Sequence, residues 1–188
     1  STGRIYLQNV DHCNTHSPFE PSVAPIKQSN LCLEIALPTK PLQSFDDPNG
    51  EIALCTLSAF NLGIIKSLDE LEELAELAVR ALDNLLSYQD YPIIAAQQSS
   101  LARRTLGIGV INYAYYLAKN GVRYSDGSAN QLTHDTFEAI QYYLLKASNK
   151  LAKEVGACDW FNETTYAKGI LPIDTYKKDL DALCSNEL

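Results

Sequence analysis

Gln28-Ser29-Asn30-Leu31-Cys32-Leu33-Glu34-Ile35 is the stretch on which the reading of this chain turns. Asn30, Cys32 and Glu34 stand at i, i+2 and i+4. In an extended segment their side chains point the same way, ~6–7 Å apart from one to the next. A thiol, a carboxylate and a carboxamide then share one surface, with Leu31 and Leu33 anchored behind. Such a trio can remove a hydrogen, take up a proton and orient a polar substrate. The same spacing also describes an amphipathic strand with its polar residues in water and a cysteine there by chance, and spacing leaves both readings open.

Outward from this stretch, residues 1 to about 65 read as strands and loops. Ile5 to Val10 has β-type composition. Asp11 to Pro25 is polar, carries Pro18, Pro21 and Pro25, and reads as a long irregular connection. Leu31 to Leu37 is a second strand-like run, Pro38 to Gly50 a loop ending in Asp47-Pro48-Asn49-Gly50, and Ile52 to Leu62 a third strand-like run. Long loops inside compact domains are commonly functional, which favours this half as the place of the chemistry.

From Ser67 onward the helical period takes over. Ser67 and Glu70 have capping-box spacing. Leu71, Leu74, Ala75, Ala78, Leu82, Leu85 and Leu86 then mark one apolar face. Asp69, Glu70, Glu72 and Glu73 complement the helix dipole in the first turns and continue as a solvated acidic face. Ile108 to Lys119 reads as another helix, ended by Asn120-Gly121. A third carries Phe137, Ile140, Leu144, Leu145, Leu151 and Val155 and stops at Gly156. A short helix is expected from about Asp174 to Leu183. Strands interleaved with helices indicate an α/β class with a large helical share.

Composition narrows the function. The 188 residues are 46% hydrophobic and 20% charged, which suits a globular unit with a real core. Fifteen basic against 23 acidic residues leave a net charge of −8, which disfavours a phosphate backbone as partner. No apolar run reaches the ~20 residues that span a bilayer. The chain starts at Ser1 and holds no methionine, so a fragment of a longer reading frame is expected. Its five cysteines, Cys13, Cys32, Cys55, Cys158 and Cys184, are odd in number and widely spaced without a CxxC. They read as reduced thiols of a cytoplasmic protein, one or two of them reactive.

Gln28 to Ile35 resembles the asparagine-x-cysteine-x-glutamate motif of ribonucleotide reductase large subunits. Thr2-Gly3-Arg4-Ile5-Tyr6, Asp11-His12-Cys13-Asn14-Thr15-His16, Leu54 to Gly63 (LCTLSAFNLG) and Arg103 to Val110 (RRTLGIGV) resemble the same family, in the same order, and the helical remainder resembles its enterobacterial-type class Ia members. The resemblance implies a partial ten-stranded α/β barrel of the reductase type, with the chain as the central part of the catalytic barrel domain. Residues 1–65 would supply strands and a finger loop, and residues 66–188 would be mainly helical.

The resemblance also implies roles. Cys32 matches the cysteine that becomes a thiyl radical and abstracts the 3′ hydrogen of the ribose. Glu34 matches the general base for the 3′-hydroxyl proton, and Asn30 the amide that binds the ribose hydroxyls. Cys55 matches one of two reducing thiols, whose partner lies upstream of Cys32 outside this chain; Cys13 stands too close to Cys32 to fill that place. Leu31, Leu33 and Leu57 would line the substrate pocket with Asn30, Cys32 and Glu34. The expected reaction is reduction of ribonucleoside diphosphates to their 2′-deoxy forms for DNA replication. A diiron-tyrosyl small subunit would supply the radical, thioredoxin or glutaredoxin the electrons, and nucleotide effectors such as ATP would act outside this segment on a large-subunit dimer. The phosphate-binding loop and the radical-relay tyrosines are expected beyond Leu188, and Arg4 near the radical route. The isolated chain is expected to show no turnover.

Other features have plainer readings. Tyr115-Tyr116 and Tyr142-Tyr143 sit at helical spacing and read as packing. Gly107-Ile108-Gly109 lacks the third glycine of a dinucleotide fingerprint and reads as a site of close backbone packing. His12, Cys13 and His16 lack the second cluster that a tetrahedral metal site needs, so no metal is expected. Cys158 and Cys184 read as structural or incidental. Two rivals to the class Ia reading stay open: a cobalamin-dependent reductase with the same thiyl chemistry, and a non-catalytic helical interaction module derived from a reductase.

Overall fold

The computed structural model describes Gly3 and residues 5–175. In chain order its elements are α1 (Val10–Thr15), β1 (Leu57–Asn61), α2 (Glu70–Tyr88), α3 (Ile94–Arg103), β2 (Gly107–Ile111), α4 (Tyr113–Lys119) and α5 (Asn130–Val155), followed by two 3-10 turns, Phe161–Glu163 and Thr165–Lys168. They fall into two compact units. One takes the residues up to Leu54, Tyr91–Arg103 and the chain from Cys158; the other takes Cys55–Asp90 and Arg104–Ala157.

The second unit is built on β1 and β2, paired in parallel with Leu57 opposite Gly107 and Asn61 opposite Ile111. Parallel strands need a long crossover, and here the chain passes through α2 and α3 before returning. Among the described residues the sheet has these two strands and is open. Its core joins Phe60 and Leu62 to Leu71, Ala75 and Val79 of α2, Leu117 of α4, and Ile140 and Ala147 of α5. The face of α2 is the predicted one with two exchanges: Val79 is buried and Leu85 is exposed. Polar side chains finish the packing, with the Tyr116 hydroxyl 3.1 Å from that of buried Thr136.

The first unit is mostly loop around a small core of Phe19, Ala24 and Ile26, against which Cys13, Ala36 and Leu37 pack. The Asn14 side chain ties α1 to that core. Its amide donates to the Ile26 carbonyl at 2.8 Å, and its oxygen accepts from the Ile26 N–H at 2.8 Å. Single β-bridges join Phe19 to Thr164 and Lys40 to Glu51.

Several local expectations are corrected. Ile5 to Val10 forms no strand but leads into α1, because β-composition makes a strand only where a ladder partner is present. Leu31 to Leu37 is a turn followed by extended loop, and the third strand-like run is a strand only from Leu57 to Asn61. The capping box does not form; the Ser67 hydroxyl accepts from the Asp69 N–H at 3.2 Å in a local turn instead. The helix expected from Ile108 is strand β2 followed by left-handed Asn112 at φ 62° and then α4. Helix α3 was not expected; its buried side is made of Ala95, Ala96, Ser99, Ser100, Ala102 and Arg103. The stops hold: Gly121 follows α4 at φ 71° and Gly156 follows α5 at φ 94°. Cys184, Arg4 and nearly all of the expected 174–183 helix lie outside the described residues.

Candidate active site

Asn30 to Ile35 folds into a tight reversal, not the extended segment that its polar alternation suggests. The Leu33 N–H donates to the Asn30 carbonyl at 3.3 Å, and the Asn30 N–H donates to the Ile35 carbonyl at 3.1 Å. The Asn30 side chain closes the loop from within. Its oxygen accepts from the Ile35 N–H at 3.1 Å, and its amide donates to Glu34 Oε1 at 2.5 Å. Leu33 holds a left-handed backbone, φ 68°. Two of the three expected groups, the carboxamide and the carboxylate, therefore touch, and the thiol of Cys32 sits on the turn between them.

Burial departs from expectation. Cys32 and Glu34 are exposed, as is Leu31 at 83%, while Asn30 and Leu33 are half-buried. Among the described residues the Cys32 side chain is open to solvent. None of Asn30 to Glu34 belongs to that unit's small core, which Ala36 and Leu37 join just beyond the turn.

Cys55 and Leu57 lie in the other unit, on the extended approach to β1 and at its first residue. Both are exposed while Thr56 between them is buried, so they share the outward side. The Thr56 carbonyl accepts from the Gly107 N–H at 2.9 Å, which fixes this strand start against β2. Gly107 stands directly opposite Leu57, and a Cβ there would lie 2.5 Å from Leu57 Cδ2. The glycine pair is thus a strand element and not a helix opening, and Gly107 leaves room for the leucine.

A second arrangement escaped the sequence reading. Arg103 is buried and donates to Glu51 Oε2 through Nε at 3.2 Å and Nη2 at 2.8 Å, and to Glu163 Oε2 through Nη1 at 2.9 Å. Its guanidinium lies over Trp160, 4.5 Å from the ring centre, and near Phe19. Lys40 Nζ lies 2.5 Å from Glu51 Oε1, off the direction of a hydrogen bond, so that contact is an ion pair only. The clamp fixes the loop that follows the Cys32 turn at Lys40 and again at Glu51. The signal was present in the adjacent arginines Arg103 and Arg104, but nothing local says which guanidinium is buried.

The remaining candidates fall elsewhere. Cys13 on α1 accepts a hydrogen bond from Gln8 Nε2 at 3.3 Å, and the rings of His12 and His16 meet edge to face. On α5, His134, Asp135 and Glu138 bring potential ligand atoms together on one exposed face. Tyr116 is buried and Tyr143 packs against the core, whereas Tyr115 and Tyr142 are exposed.

A chain with a parallel strand pair joined through helices, and with thiol, amide and carboxylate gathered on one turn, is a thiol-bearing α/β protein. Residues 1–187 match the family model of the ribonucleotide reductase barrel domain, and the chain belongs to that family. It is 82% identical over its full length to the ribonucleoside-diphosphate reductase subunit alpha of Haemophilus influenzae and 80% identical to the ribonucleoside-diphosphate reductase 1 subunit alpha of Escherichia coli, covering 25% of each. The subunit alpha of bacteriophage T4 is 50% identical over 186 residues. Among solved structures, the class Id reductase alpha subunit of Actinobacillus ureae superposes with a TM-score of 0.70 at 32% identity, over 84% of this chain and 30% of that one. The chain therefore spans about a quarter of the length of the curated relatives it matches. No helix among the described residues is long and apolar enough to cross a membrane.

Proposed function

We propose that this chain is the part of a class Ia ribonucleotide reductase catalytic subunit that carries the radical cysteine and one of the two reducing cysteines. Its substrate is a ribonucleoside diphosphate. The observation that carries the reading is the amide-to-carboxylate hydrogen bond from Asn30 to Glu34, with Cys32 between them on one turn.

Cys32 gives its thiol hydrogen atom to the radical chain of a partner subunit, whose diiron-tyrosyl centre supplies the one-electron oxidation. The thiyl sulfur takes the 3′ hydrogen of the ribose, a step open to reversal because S–H and activated C–H bonds are close in strength. Glu34 accepts the 3′-hydroxyl proton as general base, and Asn30 binds the sugar hydroxyls and holds the carboxylate. The 2′ oxygen leaves as water. Cys55 and a second thiol outside this chain give up two electrons and two protons and end as a disulfide, and Cys32 returns hydrogen to C3′. Leu31, Leu33 and Leu57 form apolar walls beside the sugar. Thioredoxin or glutaredoxin reduces the disulfide, effectors bind outside this segment, and the parent works in the cytoplasm as a large-subunit dimer.

The test uses the full-length subunit assembled with its radical-generating partner. Cys32→Ser is expected to abolish deoxynucleotide formation, since an O–H bond is too strong for the exchange. Cys55→Ser is expected to abolish thioredoxin-dependent turnover. Retained activity in Cys32→Ser would leave the non-catalytic helical module as the reading, and activity that needs adenosylcobalamin instead of the partner would place the chain in another reductase class.

A further inference from the structure

The left-handed backbone of Leu33 stands between the two residues that the proposed chemistry needs closest together. At φ 68° a leucine crowds its Cβ against the following carbonyl, and such residues persist where surrounding contacts hold them. Four bonds do so here. They are Leu33 N–H to Asn30 O, Asn30 N–H to Ile35 O, Ile35 N–H to Asn30 Oδ1 and Asn30 Nδ2 to Glu34 Oε1. Along an extended strand, residues four apart are separated by ~13 Å, and an asparagine could not reach a glutamate at that distance. The reversal at Leu33 is what lets the two meet, and it does so one residue beyond the thiol.

We infer that Leu33 is a positioning residue of the proposed site, acting through its left-handed backbone and not chiefly through its side chain. Holding Glu34 on Asn30 sets where the carboxylate lies relative to the Cys32 sulfur, so that base and radical address the same sugar. This rests on the proposed function above.

Two variants separate backbone from side chain in the full-length subunit assembled with its partner. Leu33→Ile keeps volume and apolarity but is β-branched, which opposes a positive φ. Leu33→Asn loses apolarity but tolerates that conformation. Backbone control predicts kcat at least about tenfold lower in Leu33→Ile than in Leu33→Asn, with the KM for the diphosphate much less affected, as expected when alignment and not binding is lost. It also predicts faster amide hydrogen exchange in the peptide covering residues 29–36 of the isoleucine variant alone, with exchange elsewhere as in the parent. If Leu33→Ile matches or exceeds Leu33→Asn, or if the 29–36 peptide exchanges alike in both, the inference is overturned. Cys32→Ser is assayed beside them. If it is active, the proposed function fails; if it is dead and the isoleucine variant is not the weaker, the Leu33 assignment alone fails.

Discussion

Arg103 holds a guanidinium between Glu51 and Glu163 and against the rings of Trp160 and Phe19, with 4% of its side chain and 2% of that of Glu51 exposed. A charge so enclosed depends on its partners. Removing one member of a buried pair strands the other without water, typically at about 3–5 kcal/mol, whereas replacing both by apolar groups costs far less. Arg103→Met is therefore expected to lower the denaturation midpoint strongly, and the double variant Arg103→Met, Glu51→Leu to recover part of the loss; equal losses in single and double variants would show that packing on Trp160 and Phe19, not charge, is what matters. The residue scale also shows how far the sequence reaches. Asn30, Cys32 and Glu34 stood out by type and spacing as sharing one surface, but the direct contact of Asn30 with Glu34 did not. An alternation of polar and apolar residues favours extension, and nothing in a leucine announces a positive φ; that conformation is set by the bonds around it. The burial of Arg103, likewise, follows from Glu51 and Glu163, residues far away in sequence.

Helices were the more legible elements, because their apolar period is local. The positions of α2 and α5, with the stops after α4 and α5, follow from Leu71 to Leu86, Phe137 to Val155, Gly121 and Gly156. Helix α3 was missed because its buried side consists of alanines, serines and an arginine, which carry no apolar stripe. Strand β2 was missed because Gly107 and Gly109 weaken β-propensity, and the strand it pairs with among the described residues lies some fifty positions earlier. That pairing predicts the effect of a side chain at Gly107. The new Cβ meets the end of the Leu57 side chain, which is 54% exposed and can turn away. Gly107→Ala is expected to cost less than about 1 kcal/mol, because only the end of an exposed, flexible side chain has to give way, and, where Leu57 lines the sugar, to raise KM more than it lowers kcat; Gly107→Val should exceed it on both measures.

Charged pairs join α2 to α5 on their solvent side: Lys146 to Glu72 at 2.5 Å, Lys150 to Glu76 at 2.8 Å and Arg80 to Glu154 at 2.7 Å. Hydrogen bonds from Lys150 and Arg80 hold the Glu76 carboxyl below its ordinary value, and Arg80 does the same for Glu154. A carboxylate whose folded-state pKa is depressed contributes stability above its unfolded value and loses it as pH falls through the folded one. Acid below the ordinary glutamate range is thus expected to loosen this helix pair, and high salt to reduce the effect because the groups are exposed. A fall in melting temperature on acidification that is the same at low and at high salt would count against it.

At the scale of the whole molecule, the family was legible because several motifs occur in one order, whereas the enclosure of the site was not. Asn30, Cys32 and Glu34 share a turn, but the thiol faces solvent, as do Cys55, Leu31 and Leu57. A thiyl radical in water is quenched by any reductant it meets, and a base in water has no claim on one hydroxyl. Both need walls that exclude solvent, and the second reducing thiol is expected upstream of this chain. The 188 residues alone are therefore expected to form no deoxynucleotide, even with the radical-generating partner and thioredoxin present. Supplying the remaining segments of the subunit in trans should restore product, and an upstream segment with its matching cysteine changed to serine should not. The measurement is conversion of radiolabelled cytidine diphosphate in each mixture. Turnover by the isolated chain would mean that the exposed turn suffices, and restoration without the upstream thiol would take Cys55 out of the proposed pair.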